Sequence, residues 1–387
     1  HQGRLSMAES NNTQKASGPA EKTSGGSLAG PDPLEDLRSA IGEVDAALVD
    51  LLNKRAALSL SVGERKRGNA DSVVFRPGRE AELLKSLAAR SSGPLPEAHL
   101  RAIYREILSS SRYLQSPQRV AFLGPEGTFS HVAGRALLGS LASFHPQPNL
   151  PSVFQAVESG DCDIGVVPLE NSLQGSVGQS FDLFMKHALH IRAETYCRIR
   201  HSLLSGERSL ASIKTVYSHP QPLAQCANWL MHNLPRAKVI PLESTAAAAH
   251  HVVGQAGAAA IAHADLAGDL GLHLLAQGIE DQPGNWTRFV VVGRSPADRP
   301  GTDKTSLLFA VADKPGSLFK VLQCFAERNI NMRKLESRPQ GESWKYIFFA
   351  DLECDIFAQE YAGALEAIEE HCLSLRVLGS YPSGRQE

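Results

Sequence analysis

Apolar residues recur at Leu34, Leu37, Ile41, Val44, Leu48, Leu51, Leu58 and Val62, in the three-four rhythm of one helix face. Proline is absent from 34 to 76. The pattern therefore predicts one helix from Leu34 to about Arg67, roughly 50 Å long at 1.5 Å per residue. A second helix is expected from Pro77, a residue favoured in a first turn, to about Arg90, where Ser91-Ser92-Gly93-Pro94 breaks it. A third is expected from Pro96 to about Leu114. Three helices, one of them this long, do not close a monomeric core. The seam calls for a partner helix, so a homodimer or a dimer of dimers is expected.

The pattern changes at Pro117. Short β-like runs at Val120–Leu123, Ile164–Val167, Thr215–Tyr217, Ala258–Ala262 and Phe289–Val292 alternate with helical runs at Phe129–Leu138, Gly178–His187 and Leu223–Leu234. That alternation predicts an α/β domain with largely parallel sheets. Residues 295–303 (SPADRPGTD) read as a linker of proline, glycine and charge. The remainder reads β-α-β-β-α-β over Thr305–Ala312, Ser317–Arg328, Met332–Ser337, Trp344–Leu352, Ala358–His371 and Leu373–Gly379, the ferredoxin-like pattern. The expected fold class is multidomain. An all-α domain covers 34–116, an α/β domain 117–295 and an α+β domain 304–383. Ahead of them, residues 1–33 hold 13 Gly, Ser or Pro and no aromatic, Ile or Val, the composition of a disordered tail. His1 to Ser6, before Met7, read as an expression-vector remnant.

Composition narrows the function. Lys and Arg number 39 against 41 Asp and Glu, for a net charge of −2, so no broad polybasic surface invites nucleic acid. The hydrophobic fraction of 42% suffices for globular cores, no apolar run approaches a membrane span, and no signal-peptide core is present. Six scattered cysteines without a C-x-x-C pair argue against a disulfide scaffold or a cysteine zinc site. A reducing cytoplasm fits them.

The helical region carries cations where apolar residues are expected. Arg55 occupies the seam, and Lys66, 11 residues on, lies only about 20° round the helix. Cations on a buried face need an anionic ligand or a distant partner. Arg38 is about 100° away, so one straight helix does not aim Arg38 and Arg55 at one site, whereas two crossing helices can. Arg79 and Glu80 open the second helix, and Ser111 and Gln115 stack at i, i+4 on the third. This string resembles the all-helical class of chorismate mutases: Leu37-Arg38-x-x-Ile41-x-x-x-Asp45, Arg55, Val62-Gly63-x-x-Lys66, Arg79-Glu80 and Ser111-x-x-x-Gln115. The resemblance implies that Arg38, crossing from a partner subunit, Arg55 and Arg79 hold the carboxylates of chorismate. It implies that Lys66 and Gln115 donate to the breaking ether oxygen, and that Glu80 and Ser111 address the ring hydroxyl and remaining polar edge. Some members carry Asp where this chain has Arg76, so no role is carried over there.

In the α/β region, Gly124-Pro125-Glu126-Gly127-Thr128-Phe129-Ser130 follows a strand and opens a helix, offering N–H groups and hydroxyls to an anion. It is neither a dinucleotide fingerprint nor a Walker loop. Val167-Pro168-Leu169-Glu170-Asn171-Ser172 lies at a strand's carboxyl end, where α/β proteins place ligands. Asn285-Trp286-Thr287-Arg288-Phe289 precedes a valine-rich strand. With Tyr217-Ser218-His219-Pro220-Gln221-Pro222-Leu223-Ala224-Gln225-Cys226 and Glu243-Ser244-Thr245, these motifs resemble prephenate dehydratase, whose fold is two α/β lobes flanking a cleft. The resemblance implies that Thr287 is the essential hydroxyl beside the leaving group, and that Thr128, Asn171, Ser172, Ser244 and Thr245 line the site. Arg288 reads either as a carboxylate ligand or as a structural ion-pair residue. Glu170 reads either as an acid or as a helix cap. His219 reads as a turn anchor before it reads as an acid. Aromatisation drives the reaction, so no metal or other cofactor is expected.

Residues 304–381 resemble an ACT regulatory domain. Asp313-Lys314-Pro315-Gly316-Ser317-Leu318 and Leu335-Glu336-Ser337-Arg338-Pro339 match the two motifs that bind phenylalanine in dehydratases, with Phe319 larger than the usual residue. The implied effector contacts are Gly316, Ser317, Leu318, Glu336, Ser337 and Arg338. In this order the three modules resemble the bifunctional chorismate mutase–prephenate dehydratase family, with chorismate and prephenate as substrates and phenylalanine as effector. Arogenate remains open as the dehydratase substrate. A mutase–dehydrogenase would need a nicotinamide glycine fingerprint, and a non-enzymatic sensor would turn nothing over.

Overall fold

The computed structural model describes residues 33–66, 74–340, 345–384 and 386. The tail expected over 1–33 lies outside them, apart from Pro33. The chain forms two compact units, 1–55 and 56–387.

The described part of the first unit is helical, and belongs to α1 (Pro33–Lys66). Glu35 and Asp36 occupy its first turn, where negative charge complements the helix dipole. Leu37, Ile41, Val44 and Leu51 are 59–63% exposed, so the apolar stripe of the sequence is real but uncovered in the single chain.

The second unit starts with the last turns of α1, followed by α2 (Pro77–Arg90) and α3 (Glu97–Gln115). A Cβ on Gly63 would lie 2.9 Å from the Cα of Gln115, so glycine permits the close approach of α1 to α3 there. No side chain at the N-cap of α2 serves its first N–H groups. Asp298 does so instead, accepting from Gly78 N at 3.2 Å and Arg79 N at 3.0 Å. A Cβ on Gly78 would meet the Pro300 carbonyl at 1.8 Å. The segment read as a linker is therefore packed as a brace on α2. Phe75, 1% exposed, joins the cluster of Val120, Phe122, Leu138 and Ile164.

The α/β region forms two sheets. The first comprises β1 (Arg119–Leu123), β2 (Ser143–Gln147), β3 (Ile164–Asn171), β4 (Gly175–Ser176), β5 (His190–Arg198) and a late strand, β11 (Trp286–Gly293), with α4 (Phe129–Leu138), α5 (Leu150–Ser159) and α6 (Gly178–Lys186). The second comprises β6 (Ser202–Ser205), β7 (Thr215–Ser218), β8 (Lys238–Pro241), β9 (Ala258–Ala262) and β10 (His273–Gln277), with α7 (Pro220–Gln225), α8 (Ala227–Asn233), α9 (Thr245–His251) and α10 (Leu266–Leu270). Their orders are β2-β1-β3-β11-β5 and β10-β6-β9-β7-β8. Both sheets are mixed rather than largely parallel. β1 runs parallel to β2 and β3, but β11 re-enters antiparallel between β3 and β5. In the second sheet β6 pairs antiparallel with both β9 and β10.

The C-terminal module comprises β12 (Lys304–Ala310), α11 (Ser317–Glu327), β13 (Met332–Gln340), β14 (Lys345–Leu352), α12 (Ala364–Glu369) and β15 (Ser374–Tyr381). All strand pairs are antiparallel, in the order β13-β14-β12-β15. One face packs Leu307, Phe309 and Ala350 against Val321, Phe325 and Ile368 of the two helices. The other packs Leu308, Phe349, Leu378 and Tyr381 against the first lobe, where the rings of Phe181 and Phe349 meet edge-on at 4.6 Å. Among the described residues, no helix is long and apolar enough to cross a membrane.

Candidate active sites

A cleft of about 810 Å³ is lined by residues of both α/β sheets. It gathers Thr128, Asn171, His219, Ser244, Thr245 and Thr287, six of the residues singled out from the sequence. Three of them cap the N-termini of helices. Thr128 Oγ1 donates to the Leu123 carbonyl at 2.7 Å and accepts from His131 N at the start of α4. Ser244 accepts from Ala247 N to cap α9. His219 Nδ1 accepts from Gln221 N at 3.3 Å to cap α7, the turn-anchoring role. The ten-residue α4 thus presents its N-terminus, the positive end of its dipole, to the cleft.

The centre of the cleft is a directed hydrogen-bond chain. Asn171 Oδ1 accepts from the N–H groups of Leu173 and Gln174, each at 3.0 Å. That fixes which way the amide points. Its Nδ2 then donates to Thr287 Oγ1 at 2.9 Å and Asn285 Oδ1 at 2.7 Å. Thr287 Oγ1 is an acceptor in this chain, so its own proton is available to a bound molecule.

His201 was missed by the sequence reading, because it lies outside every motif quoted there. It is 1% exposed and lines the cleft, with Nε2 2.7 Å from Gln225 Oε1. Burial pushes its pKa down, so the ring is neutral near pH 7. With Nε2 donating to Gln225, the buried Nδ1 is left as an acceptor without a protein partner among the described residues.

Three expected lining residues lie elsewhere. Side chains alternate along a strand, so Glu170 and Arg288 face away from Asn171 and Thr287. Arg288, 3% exposed, is ion-paired to Glu194 at 2.7 Å and Asp351 at 2.5 Å, which corrects its reading as a substrate ligand in favour of the structural one. Glu170 pairs with Lys334 at 2.8 Å, so it is neither a helix cap nor an acid in the cleft. Ser172 lies outside the cleft lining, with Oγ accepting from Trp286 N at 2.9 Å.

Within the second unit, Lys66 Nζ donates to Gln115 Oε1 at 3.3 Å, and Gln115 Nε2 to the Ser111 carbonyl at 3.1 Å. Ser59 Oγ donates to Ser111 Oγ at 3.1 Å. Lys66 is held below the usual lysine range by burial and then by the charges of Arg76 and Arg79. Clustered cations of this kind favour a polyanionic ligand. Arg76, which received no role from the sequence, belongs to that cluster. Both carboxylate oxygens of Glu80 lie 2.6 Å from Nη1 of Arg112, a residue the sequence reading passed over. In the first unit, Arg38 forms an exposed pair with Glu35 at 3.7 Å, and Arg55 is half-buried.

In the C-terminal module, Gly316 adopts φ +83° at the start of α11, a backbone that L side chains rarely tolerate. Ser317 and Leu318 follow in the first turn. Strand alternation sends Lys334, Glu336 and Arg338 towards the first lobe. Glu336 meets Ser176, and Arg338 pairs with Asp182 at 3.1 Å. This departs from the expectation that Glu336 and Arg338 are effector ligands: both are occupied by the lobe, and only Ser337 of that trio is exposed. Among the described residues, no three His, Cys, Asp or Glu side chains gather as a metal would require.

Family models for chorismate mutase type II, prephenate dehydratase and the ACT domain match residues 37–116, 120–297 and 305–371. A bifunctional chorismate mutase/prephenate dehydratase of Aquifex aeolicus is 38% identical over 91% of this chain and 98% of its own length. An arogenate dehydratase 2 of Petunia hybrida is 37% identical over 76% of this chain and 78% of its own. The solved prephenate dehydratase of Arthrobacter aurescens in complex with L-Phe is 33% identical, with a TM-score of 0.63, over 68% of this chain and 90% of its own. The chain belongs to the bifunctional chorismate mutase/prephenate dehydratase family of enzymes.

Thr287→Val keeps the side-chain shape and removes the hydroxyl. It should lower dehydratase kcat by about 100-fold or more, while Thr287→Ser retains most of it and both keep mutase turnover. Steady-state assays on prephenate and on chorismate check this.

Proposed function

We propose that this chain converts chorismate to prephenate in its helical part and prephenate to phenylpyruvate in the α/β cleft, with phenylalanine as a feedback effector at the ACT module. The observation that carries the dehydratase reading is the hydrogen bond from Asn171 to Thr287, which leaves the threonine proton directed at a ligand. In that reaction the bond from the ring to its carboxylate breaks, and carbon dioxide departs. The electron pair moves into the ring as the C4–oxygen bond breaks, and the leaving hydroxide takes up a proton drawn from solvent to become water. Thr287 donates the hydrogen bond that stabilises the departing oxygen. The N-terminus of α4 favours a substrate carboxylate, and the neutral ring of His201 lines the same cleft. Fixing the polyanion against such preset dipoles lowers the barrier without reorganisation.

The mutase step needs no proton transfer. An ether C–O bond breaks as a C–C bond forms, and negative charge builds on the ether oxygen. Lys66 and Gln115 are the donors for that oxygen, and their mutual contact supports this role. Arg79, with Arg38 and Arg55, takes the carboxylates; Glu80 and Ser111 take the ring hydroxyl and remaining polar edge. Arg38 is read as acting from a second subunit. The uncovered stripe of Leu37, Ile41, Val44 and Leu51 supports pairing with a second copy. Light scattering should give the mass of a dimer or dimer of dimers; a monomer at micromolar concentration would refute this.

The effector reading rests on the Gly316 turn and on the L-Phe complex of the Arthrobacter relative. Gly316, Ser317, Leu318 and Ser337 are the proposed contacts. Glu336 and Arg338 would contribute only by leaving the dehydratase lobe, which is one route for the effector to shift the domain equilibrium. The six unpaired cysteines fit work in a reducing compartment, the cytoplasm. Arogenate is the second reading, favoured by the Petunia relative.

The test supplies chorismate, prephenate or arogenate to the purified chain, with and without millimolar phenylalanine. Chorismate should yield prephenate and then phenylpyruvate, and phenylalanine should suppress the second product. Turnover of arogenate in preference to prephenate would establish the second reading. Absence of prephenate from chorismate would defeat the mutase reading.

A further inference from the structure

Arg112 is 4% exposed and stands where three parts of the second unit meet. Its Nη1 lies 2.6 Å from both oxygens of Glu80 on α2. Its Nη2 donates to the carbonyl of Leu138, the last residue of α4 in the dehydratase lobe, at 2.5 Å. The guanidinium carbon lies 5.5 Å from the ring centroid of Phe75, itself fully buried in that lobe's core. Around it the packing is close: a Cβ on Gly139 would lie 2.5 Å from Cβ of Ser109, one turn before Arg112 on α3. Arg192 ties down the backbone here by donating to the Phe75 carbonyl at 2.7 Å.

We propose that Arg112 is a positioning residue for the mutase, aiming the Glu80 carboxylate from a mount supplied by the dehydratase lobe. This rests on the reading that Glu80 takes part in the mutase site. A guanidinium fixed by a carbonyl on one side and an aromatic face on another has little freedom to rotate. A carboxylate held at both oxygens is correspondingly limited to one rotamer. Released, Glu80 has a competing cation in Arg76, the residue just before α2 and part of the cation cluster around Lys66. Pairing there would misaim the carboxylate and neutralise charge that a dianionic substrate requires. The mutase site is thus shaped in part by the dehydratase lobe of its own chain.

The test uses the full chain and four variants: Arg112→Met, Arg112→Lys, Glu80→Gln and the Arg112→Met/Glu80→Gln double. Arg112→Met is expected to lower mutase kcat/KM by about tenfold or more, with a raised KM and a lowered kcat. Dehydratase turnover of supplied prephenate should stay within about twofold, since the Glu80 pair lies outside the cleft. Arg112→Lys keeps the charge and should recover part of the loss. In the double variant, the Arg112 change should cost nothing beyond Glu80→Gln alone. Full mutase activity in Arg112→Met, additive losses in the double variant, or a parallel loss of dehydratase activity would each overturn the proposal. Unchanged mutase activity in Glu80→Gln would instead overturn the underlying reading of Glu80.

Discussion

Strand β11 enters the first sheet between β3 and β5, after the chain has built the entire second lobe. Because successive side chains point to opposite faces, Thr287 turns to the cleft and Arg288 to the C-terminal module. Arg288 and Lys304 there meet Glu194 and Asp351, all at most 9% exposed. Burial disfavours the charge on Arg288, but Tyr381, Asp351 and Glu194 outweigh it and hold the guanidinium protonated well above its ordinary range. Burial likewise opposes ionisation of Asp351, yet Arg288 and Lys304 hold its carboxyl below the usual range. Two cations and two anions balance. Breaking such a pair by removing one partner costs on the order of 3–5 kcal/mol, because the other charge stays buried. The residue beside the proposed catalytic hydroxyl is therefore fastened to the sheet of the C-terminal module.

The same integration recurs at the other end of the second unit. Phe75 lies in a lobe core, Asp298 caps α2, and Arg112 joins Glu80 to the end of α4. None of these contacts is periodic in sequence. A catalytic module that can be delimited by motif is still dependent on distant residues for its caps and charge partners.

The helical region was almost fully legible, since a sustained apolar period and proline punctuation define helices directly. The cleft motifs were legible as a set, and six of their residues do meet. What escaped notice follows from physics. β2, β8 and β10 are edge strands of four or five residues with largely exposed side chains, too short and too exposed to stand out as strands in the pattern. The antiparallel return of β11 depends on a crossover that no local signal encodes. Glu170 and Arg288 belong to the right motifs, but strand alternation sends them to the opposite face from Asn171 and Thr287. His201 and Arg112 acquire their surroundings through long-range contacts, such as those at 24 and 32 residues' separation. Asp298 was assigned to a linker because charge and proline look the same in a spacer as in a brace.

The central claim is that Thr287, the proposed dehydratase hydroxyl, is held from behind by the sheet of the C-terminal module. Asp351→Asn tests it most directly, because asparagine keeps the shape and a hydrogen-bond acceptor for Arg288 while removing the charge. The measurement is kcat on prephenate and on chorismate for the folded variant. The account predicts that dehydratase kcat falls about tenfold or more while mutase kcat is unchanged. Unchanged dehydratase turnover would contradict it.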